Sequence, residues 1–322
     1  MTSVRRVVAL GGGHGLSVTL KALRRLGIEP TAIAGTGDDG GSSGRLRTHL
    51  GVPPPGDLRM ALAALADEGL WLRVLQHRFG GTGDIEGHAL GNLILVALWQ
   101  ETGDLVAGLD RLGAVLGARG RVLPNCLDPV EVVADVLGSD GTVREVRGQA
   151  RLTTGEGRIT GLRLIPAQPR ACPDAAAAIL EATHVVIGPG SWFTSILTHV
   201  RVPEIAAALQ ATRARRILIL NAGPQAGETE DFTATTYLQS WVDFAPGLTL
   251  DDVVVPSDSK VAAETGDTPE AIAMCVSALS AQARHVGEAA PVGRVQTADI
   301  LSCPGQHDPD LLATALAPLI RD

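Results

Sequence analysis

Apolar residues along the chain fall into two alternating rhythms. VRRVVAL, TAIAG, HVVIG, RRILILNA, DDVVVP and VQTADIL are short apolar runs that match strands, most of them buried on both faces. LSVTLKALRRLG, GDLRMALAALAD, HALGNLILVALWQ and DPDLLATALAPLI carry apolar residues at helical spacing. Strands alternating with helices imply right-handed crossovers and an α/β fold with a largely parallel sheet flanked by helices. Residues 130–165, VEVVADVLGSDGTVREVRGQARLTTGEGRITGLRLI, depart from this pattern and alternate with period two around Ser-Asp-Gly and Gly-Glu-Gly turns. They read as an antiparallel β-hairpin region inserted into one α/β domain spanning 1–322, whose two flanks form the sheet together.

Composition narrows the function classes. The 322 residues are enough for a sizeable core, and 45% hydrophobic with 19% charged residues is a globular balance. The net charge is −8, and only Lys21 and Lys260 are lysines, so nearly all positive charge is guanidinium. Sequence-independent nucleic-acid binding needs a basic face, and 3% aromatics offer no base-stacking platform. Arginine favours a bidentate grip on phosphate, so an anion site would be local and preorganised. Cys126, Cys172, Cys275 and Cys303 form no CxxC pair and read as free thiols in a reducing compartment. The apolar stretch near the start is too short for a signal peptide, and no segment has the length of a membrane helix. These readings predict a cytoplasmic protein without nucleic-acid partner or membrane insertion, and leave homodimerisation open.

The candidate chemistry lies in glycine-rich turns behind the predicted strands. In VVALGGGHGLS, Gly11, Gly12, Gly13 and Gly15 surround His14 just before a helical run. Such a turn aims unpaired N–H groups and the positive helix end at one spot, which makes a phosphate cradle; the alternative is a tight βα turn. Neither G-x-G-x-x-G nor the Walker A pattern fits, because Leu16 and His14 fall on glycine positions and no lysine follows at the required distance. Behind the second strand, DDGGSSGRLR carries Asp38, Asp39, Gly41, Ser42, Ser43 and Arg45. The aspartates read equally as ribose-binding acids, Mg²⁺ ligands or a solvated turn, while the serines and Arg45 suit a phosphate. Gly40 to Gly44 also matches G-x-S-x-G, but its separation from the strand argues against a nucleophile elbow.

Two further strand ends have the same character. GPGSW places Gly188, Gly190 and Ser191, the last at a helix N-cap position, and Asn221 closes another strand. In an open parallel sheet all four loops would converge on the crevice beyond the carboxyl strand ends. PPPGDLR adds Asp57 and Arg59 at a helix start. GHALGN places His88 and Asn92 four apart, on one helix face if the helix includes His88, either as a structural pair or as part of the site.

The ordered motifs GGGHGLS, DDGGSSGRLR, PPPGDLR, GHALGN, RVLPN, GPGSWFTSI and QAGETEDF resemble the YvcK/CofD-like proteins, most of all the YvcK branch of gluconeogenesis factors. The resemblance covers nearly the whole chain and implies a Rossmann-like α/β fold. For the YvcK branch it implies binding of UDP-sugars, notably UDP-N-acetylglucosamine, and a role in cell shape and envelope synthesis on gluconeogenic carbon sources. For the CofD branch it implies a Mg²⁺-dependent 2-phospho-L-lactate transferase acting on a nucleotide-activated donor. It assigns Gly11 to Gly15, Asp38, Asp39, Ser42, Ser43 and Arg45 to the phosphate side, with Asn92 and Gly188 to Ser191 completing it. If the protein is a CofD-type transferase, Asp38 and Asp39 become the catalytic, Mg²⁺-carrying pair. His14 stands where the family usually has a small hydroxyl residue.

Overall fold

The computed structural model describes residues 5–155, 157–221, 223–225, 227–257, 268–285, 287–303 and 305–321. Ala222 and Ala226, both in the loop that carries QAGETEDF, lie outside the described residues. The first half runs β1 (Val7–Gly11), α1 (Gly13–Arg25), β2 (Thr31–Ala34), α2 (Gly41–Leu50), α3 (Gly56–Leu65), α4 (Leu70–Gln76), α5 (Leu90–Thr102), α6 (Leu105–Val115) and β3 (Arg121–Pro124). The insert comprises β4 (Glu131–Leu137), β5 (Val143–Arg147), α7 (Gln149–Leu152) and β6 (Arg158–Ile165). The second half continues with α8 (Pro173–Glu181), β7 (His184–Ile187), α9 (Pro203–Ala211), β8 (Arg215–Ile219), α10 (Ala234–Phe244), β9 (Leu250–Pro256), α11 (Pro269–His285) and β10 (Val292–Ala298). The hairpin of β11 (Leu301–Cys303) and β12 (Gln306–His307) leads into α12 (Pro309–Arg321).

Among the described residues, seven parallel strands form one sheet in the order β10-β9-β8-β7-β1-β2-β3. The fold is Rossmann-like α/β, as the alternation of runs predicts. Strand β1 pairs with β2 on one side and β7 on the other and is buried throughout, which explains its unbroken apolar run. From β1 the chain winds outward to β3, then returns to β7 and winds outward the other way to β10. The carboxyl ends of β1 and β7 therefore flank the topological switch point, where loops leave the sheet in opposite directions.

The insert lies at the predicted place. Strands β5-β4-β6 form an antiparallel sheet over 131–165. Val132, Ala134, Ile159 and Leu164 of this sheet share one hydrophobic cluster with Val8, Leu10, Ile33 and Leu218 of the parallel sheet. Helix α7, absent from the period-two reading, crosses above the strand ends. The Ala150 amide donates to Asp39 Oδ1 at 2.8 Å. On its other side, a Cβ on Gly227 would lie 2.6 Å from the Thr153 backbone. The insert thereby touches the loops after both β2 and β8.

Some boundaries depart from the sequence pattern. The VQTADIL run divides: β10 ends at Ala298, and after Asp299 and the buried Ile300 the chain begins a separate hairpin. Strand β3 escapes the pattern because its four residues start with arginine and end with proline. Helix α5 begins at Leu90, so His88 precedes it and the shared helix face with Asn92 does not exist.

Asp252 on β9 is fully buried and accepts from Arg215 Nε at 2.5 Å and Arg294 Nε at 2.8 Å, tying three neighbouring strands together. Removing the carboxylate deletes its charge-assisted hydrogen bonds, but Arg215 and Arg294 reach solvent, at 29% and 54% exposure, so the cost is about 1–3 kcal/mol. Asp252→Ala is expected to lower the unfolding free energy by about that amount in a urea titration. An unchanged midpoint and slope would show that the cluster adds nothing to stability.

Candidate functional site

The turn from β1 into α1 is built by backbone proximity. Gly12 is extended at the N-cap of α1 and has no side chain of its own to cap it, while the Asp57 carboxyl, from the start of α3, accepts from the Gly13 backbone. The first-turn N–H groups lack partners inside their own helix, and the helix dipole adds positive potential there. A Cβ on Gly15 would fall 2.1 Å from the Pro189 carbonyl oxygen, and one on Gly12 would fall 2.3 Å from Asp57 Oδ2. Glycine at these two positions lets the β1–α1 turn lie flush against the loop after β7 and against the start of α3. Gly188 and Gly190 have φ of +78° and +151°, backbone that side chains disfavour.

That β7 loop is held from below. Asn221, at the end of β8, accepts from the Gly190 amide at 3.0 Å. Asn221 Nδ2 in turn donates to Gln225 Oε1 at 2.9 Å. The buried Glu228 carboxylate accepts from the Phe193 amide at 3.1 Å, from Thr194 Oγ1 at 3.0 Å and from the Ser191 hydroxyl. Ser191 stands at the expected N-cap position, but the turn it opens is π-helical, Trp192–Ile196, and its hydroxyl serves Glu228 instead of a helix amide. Beside these loops lies a cavity of about 410 Å³, lined by His14, Gly15, Pro189, Gly190, Asn221, Gln225, Gln306 and His307 among others. The last two come from the β11–β12 hairpin and close the side remote from β1.

On the opposite flank a second polar network joins the remaining motif residues. Ser42 Oγ lies 2.9 Å from His88 Nδ1 and accepts from Asn92 Nδ2 at 3.0 Å. Asn92 Oδ1 accepts from Arg59 Nε at 2.9 Å, and Arg59 also donates to Gln76 at the end of α4. Burial lowers the pKa of His88, helped by Arg45 and His49, so its ring is neutral at pH 7. Burial likewise brings the Arg59 guanidinium down to about 10, leaving it charged. His88 and Asn92 thus meet through Ser42, although no helix face brings them together.

The aspartates divide between neighbours. Asp38 accepts from the Gly40 amide at 3.0 Å and from Ser43, and burial raises its pKa. Asp57 sits at the Gly12–Gly13 turn and accepts from the Gly13 backbone. Burial and then the nearby Asp38 push its carboxyl up to about 7. Asp39 is turned away toward Ala150. Among the described residues, no three His, Cys, Asp or Glu side chains cluster as a metal site would require. Asp38 and Asp39 thus bond to different neighbours, Asp38 within its own turn and Asp39 in the insert.

Gly11 to Gly15, Asp57, Gly188 to Ser191 and Asn221 are therefore brought together at the switch point, with Asp38 and Ser43 next to Asp57. Ser42, Asn92 and Arg59 form the adjoining network. Gly41 opens α2 with φ of +47°. Arg45 is directed elsewhere, donating to the Glu86 carbonyl on an exposed loop. Sequence reasoning missed Gln225, Gln306 and His307 as cavity residues and His199 as a support. His199 is buried beneath the first turn, with Nε2 3.1 Å from the Gly11 oxygen, and burial lowers its pKa to about 4. Of these, only Gln225 stood in a motif quoted above, QAGETEDF, and Gln306, His307 and His199 have no local signature.

A sequence model of the 2-phospho-L-lactate transferase CofD family matches residues 7–285. The chain belongs to the CofD family. A Mycobacterium leprae member is 45% identical over 317 residues, covering 96% of this chain and 84% of its own. The Gluconeogenesis factor of Bacillus subtilis is 41% identical over 236 residues, covering 73% of each chain. A crystal structure of a UPF0052 family protein from Bacillus halodurans superposes with a TM-score of 0.83 at 33% identity, covering 98% of this chain and all of that one. No helix among the described residues is long and apolar enough to cross a membrane.

Asp57 gives the site a pH signature. Its folded pKa stands above the unfolded value of 3.8, so the fold favours the protonated form. Stability is then lost as pH rises from the unfolded pKa through about 7 and levels off above it. Asp57→Asn is expected to flatten this part of the stability profile, read as denaturation midpoints between pH 5 and 8. Parallel profiles for both proteins would remove Asp57 from the account.

Proposed function

We propose that this CofD-family chain is a cytoplasmic regulatory protein that binds a nucleotide sugar of the UDP-N-acetylglucosamine type. Its role in this reading is that of a gluconeogenesis factor needed for cell shape and envelope synthesis on gluconeogenic carbon sources. The observation that carries it is the glycine-built start of α1, seated against Pro189, where Asp57, its carboxyl pushed up to about 7, is the side chain on the Gly13 amide. A diphosphate resting on the first-turn amides would lie beside the 410 Å³ cavity, whose amide and imidazole side chains suit a sugar or a base edge. Relatives over most of the chain carry the name Gluconeogenesis factor.

The regulatory reading is preferred to turnover because the polar groups best suited to chemistry are spent internally. The Ser42 hydroxyl is shared between His88 and Asn92, Glu228 holds a loop, and Asp39 holds the insert. The family match itself favours a second reading, a 2-phospho-L-lactate transferase of CofD type. Addition of a deazaflavin acceptor and a nucleotide-activated donor would then release nucleoside monophosphate.

Isothermal titration with UDP-N-acetylglucosamine, with and without Mg²⁺, tests the leading reading. Saturable heat is expected for the natural protein. Gly15→Ala, which forces the two turns apart, is expected to weaken binding about tenfold or more, equivalent to about 1.4 kcal/mol. A melting curve for the variant separates loss of binding from loss of fold. Absence of heat at millimolar ligand in both conditions rejects the reading.

A further inference from the structure

Helices α4, α5 and α6 leave an open groove on the outer side of the first half. Its volume is about 180 Å³, and its walls are Trp71, Val74, Ile94, Leu98, Leu112 and Val115. The groove is nearly all carbon, and the one charged residue in its lining is Arg111, an exposed residue of α6. Leu70, Trp71 and Val115 are 64%, 59% and 60% exposed, three of the large apolar side chains left most open to solvent in this protein. Single exposed apolar residues need no explanation, but a contiguous patch with an indole at its edge does.

The charges around the groove indicate what fits it. Arg111 and Arg73, the latter on the same helix as Trp71 and Val74, are not among the arginines that form ion pairs with described carboxylates. The neighbouring Asp110 is engaged instead with Arg121, so it does not neutralise Arg111. In a chain of net charge −8, Arg111 and Arg73 give the neighbourhood of this carbon-lined groove positive charge that no described carboxylate pairs. A cavity of this volume accepts one large apolar side chain, and the two helix flanks accept further anchors at i+3 or i+4. Helices α4 and α5 also reach inward, where Gln76 and Asn92 bond to Arg59 in the site network.

We propose that the α4–α6 groove is a docking surface for an amphipathic helix of another protein, one that carries carboxylates beside its apolar face. Apolar anchors enter between Trp71 and Val115, and a carboxylate pairs with Arg111. This surface does not depend on the identity of the ligand in the crevice.

The test uses the full chain and two fluorescently labelled synthetic helical peptides with the same leucine and phenylalanine face. One is flanked by glutamates and the other by lysines. Anisotropy is expected to show the glutamate peptide binding about tenfold more tightly at low salt, the scale of a charge pair in a partly desolvated groove. Arg111→Glu is expected to reverse that preference, and Trp71→Ala and Val115→Asp to weaken both peptides. All three side chains are at the surface, so unchanged melting curves confirm that these variants fold. Equal affinity for the two peptides, or a preference that survives Arg111→Glu, overturns the proposal. It is also overturned if light scattering shows a dimer that Val115→Asp dissociates while neither peptide binds, because the groove then belongs to a second copy of this chain.

Discussion

The organisation of the site depends on one steric constraint, the contact of bare backbone between the β1–α1 turn and the loop after β7. Gly15 leaves no room for even a methyl group against the Pro189 carbonyl. The constraint operates at the switch point of the sheet, the one place where two strand ends send their chains in opposite directions and leave space between them. Close approach does two things at once. It brings the first-turn amides of α1 into the crevice, and it makes the Gly188–Ser191 loop the opposite wall.

A contact of this kind has to be held, because loops have little cohesion of their own. The holding groups are buried and polar. Glu228 fixes the β7 loop through one amide and two hydroxyls, Asn221 fixes Gly190, and His199 supports Gly11 from beneath. Each places a polar atom where only a hydrogen-bond partner offsets its desolvation. Their precision comes from the strands that carry them: Asn221 closes β8, and β8 is locked to its neighbours by the Asp252 cluster.

The inserted sheet belongs to the same arrangement. It has no separate core, since its apolar face merges with that of β1 and β2. Its helix α7 accounts for Asp39, which the chain alone left open between ribose, metal and solvent, by giving that carboxylate a backbone amide. The crevice bordered by Asp38 and Asp57 is also a place where charge is costly, because burial raises both carboxyls and Asp38 adds to the cost of ionising Asp57.

The sequence by itself determined the layers. Unbroken apolar runs specify strands buried on both faces, helical spacing specifies their covering, and the period-two stretch marks the insert almost to the residue, because burial writes these periods directly into the chain. It also marked the glycine turns, since a turn that aims amides at an anion needs glycine at fixed offsets from a strand. Only the tertiary structure decided what those turns face. That Asp57 rather than Asp39 sits at the first turn, that Ser191 serves Glu228, that His88 and Asn92 meet through Ser42, and that Gln306 and His307 reach the cavity are all contacts between residues far apart in the chain. Local periodicity carries no record of such contacts, because they are fixed by strand order and by the direction in which each loop leaves the sheet.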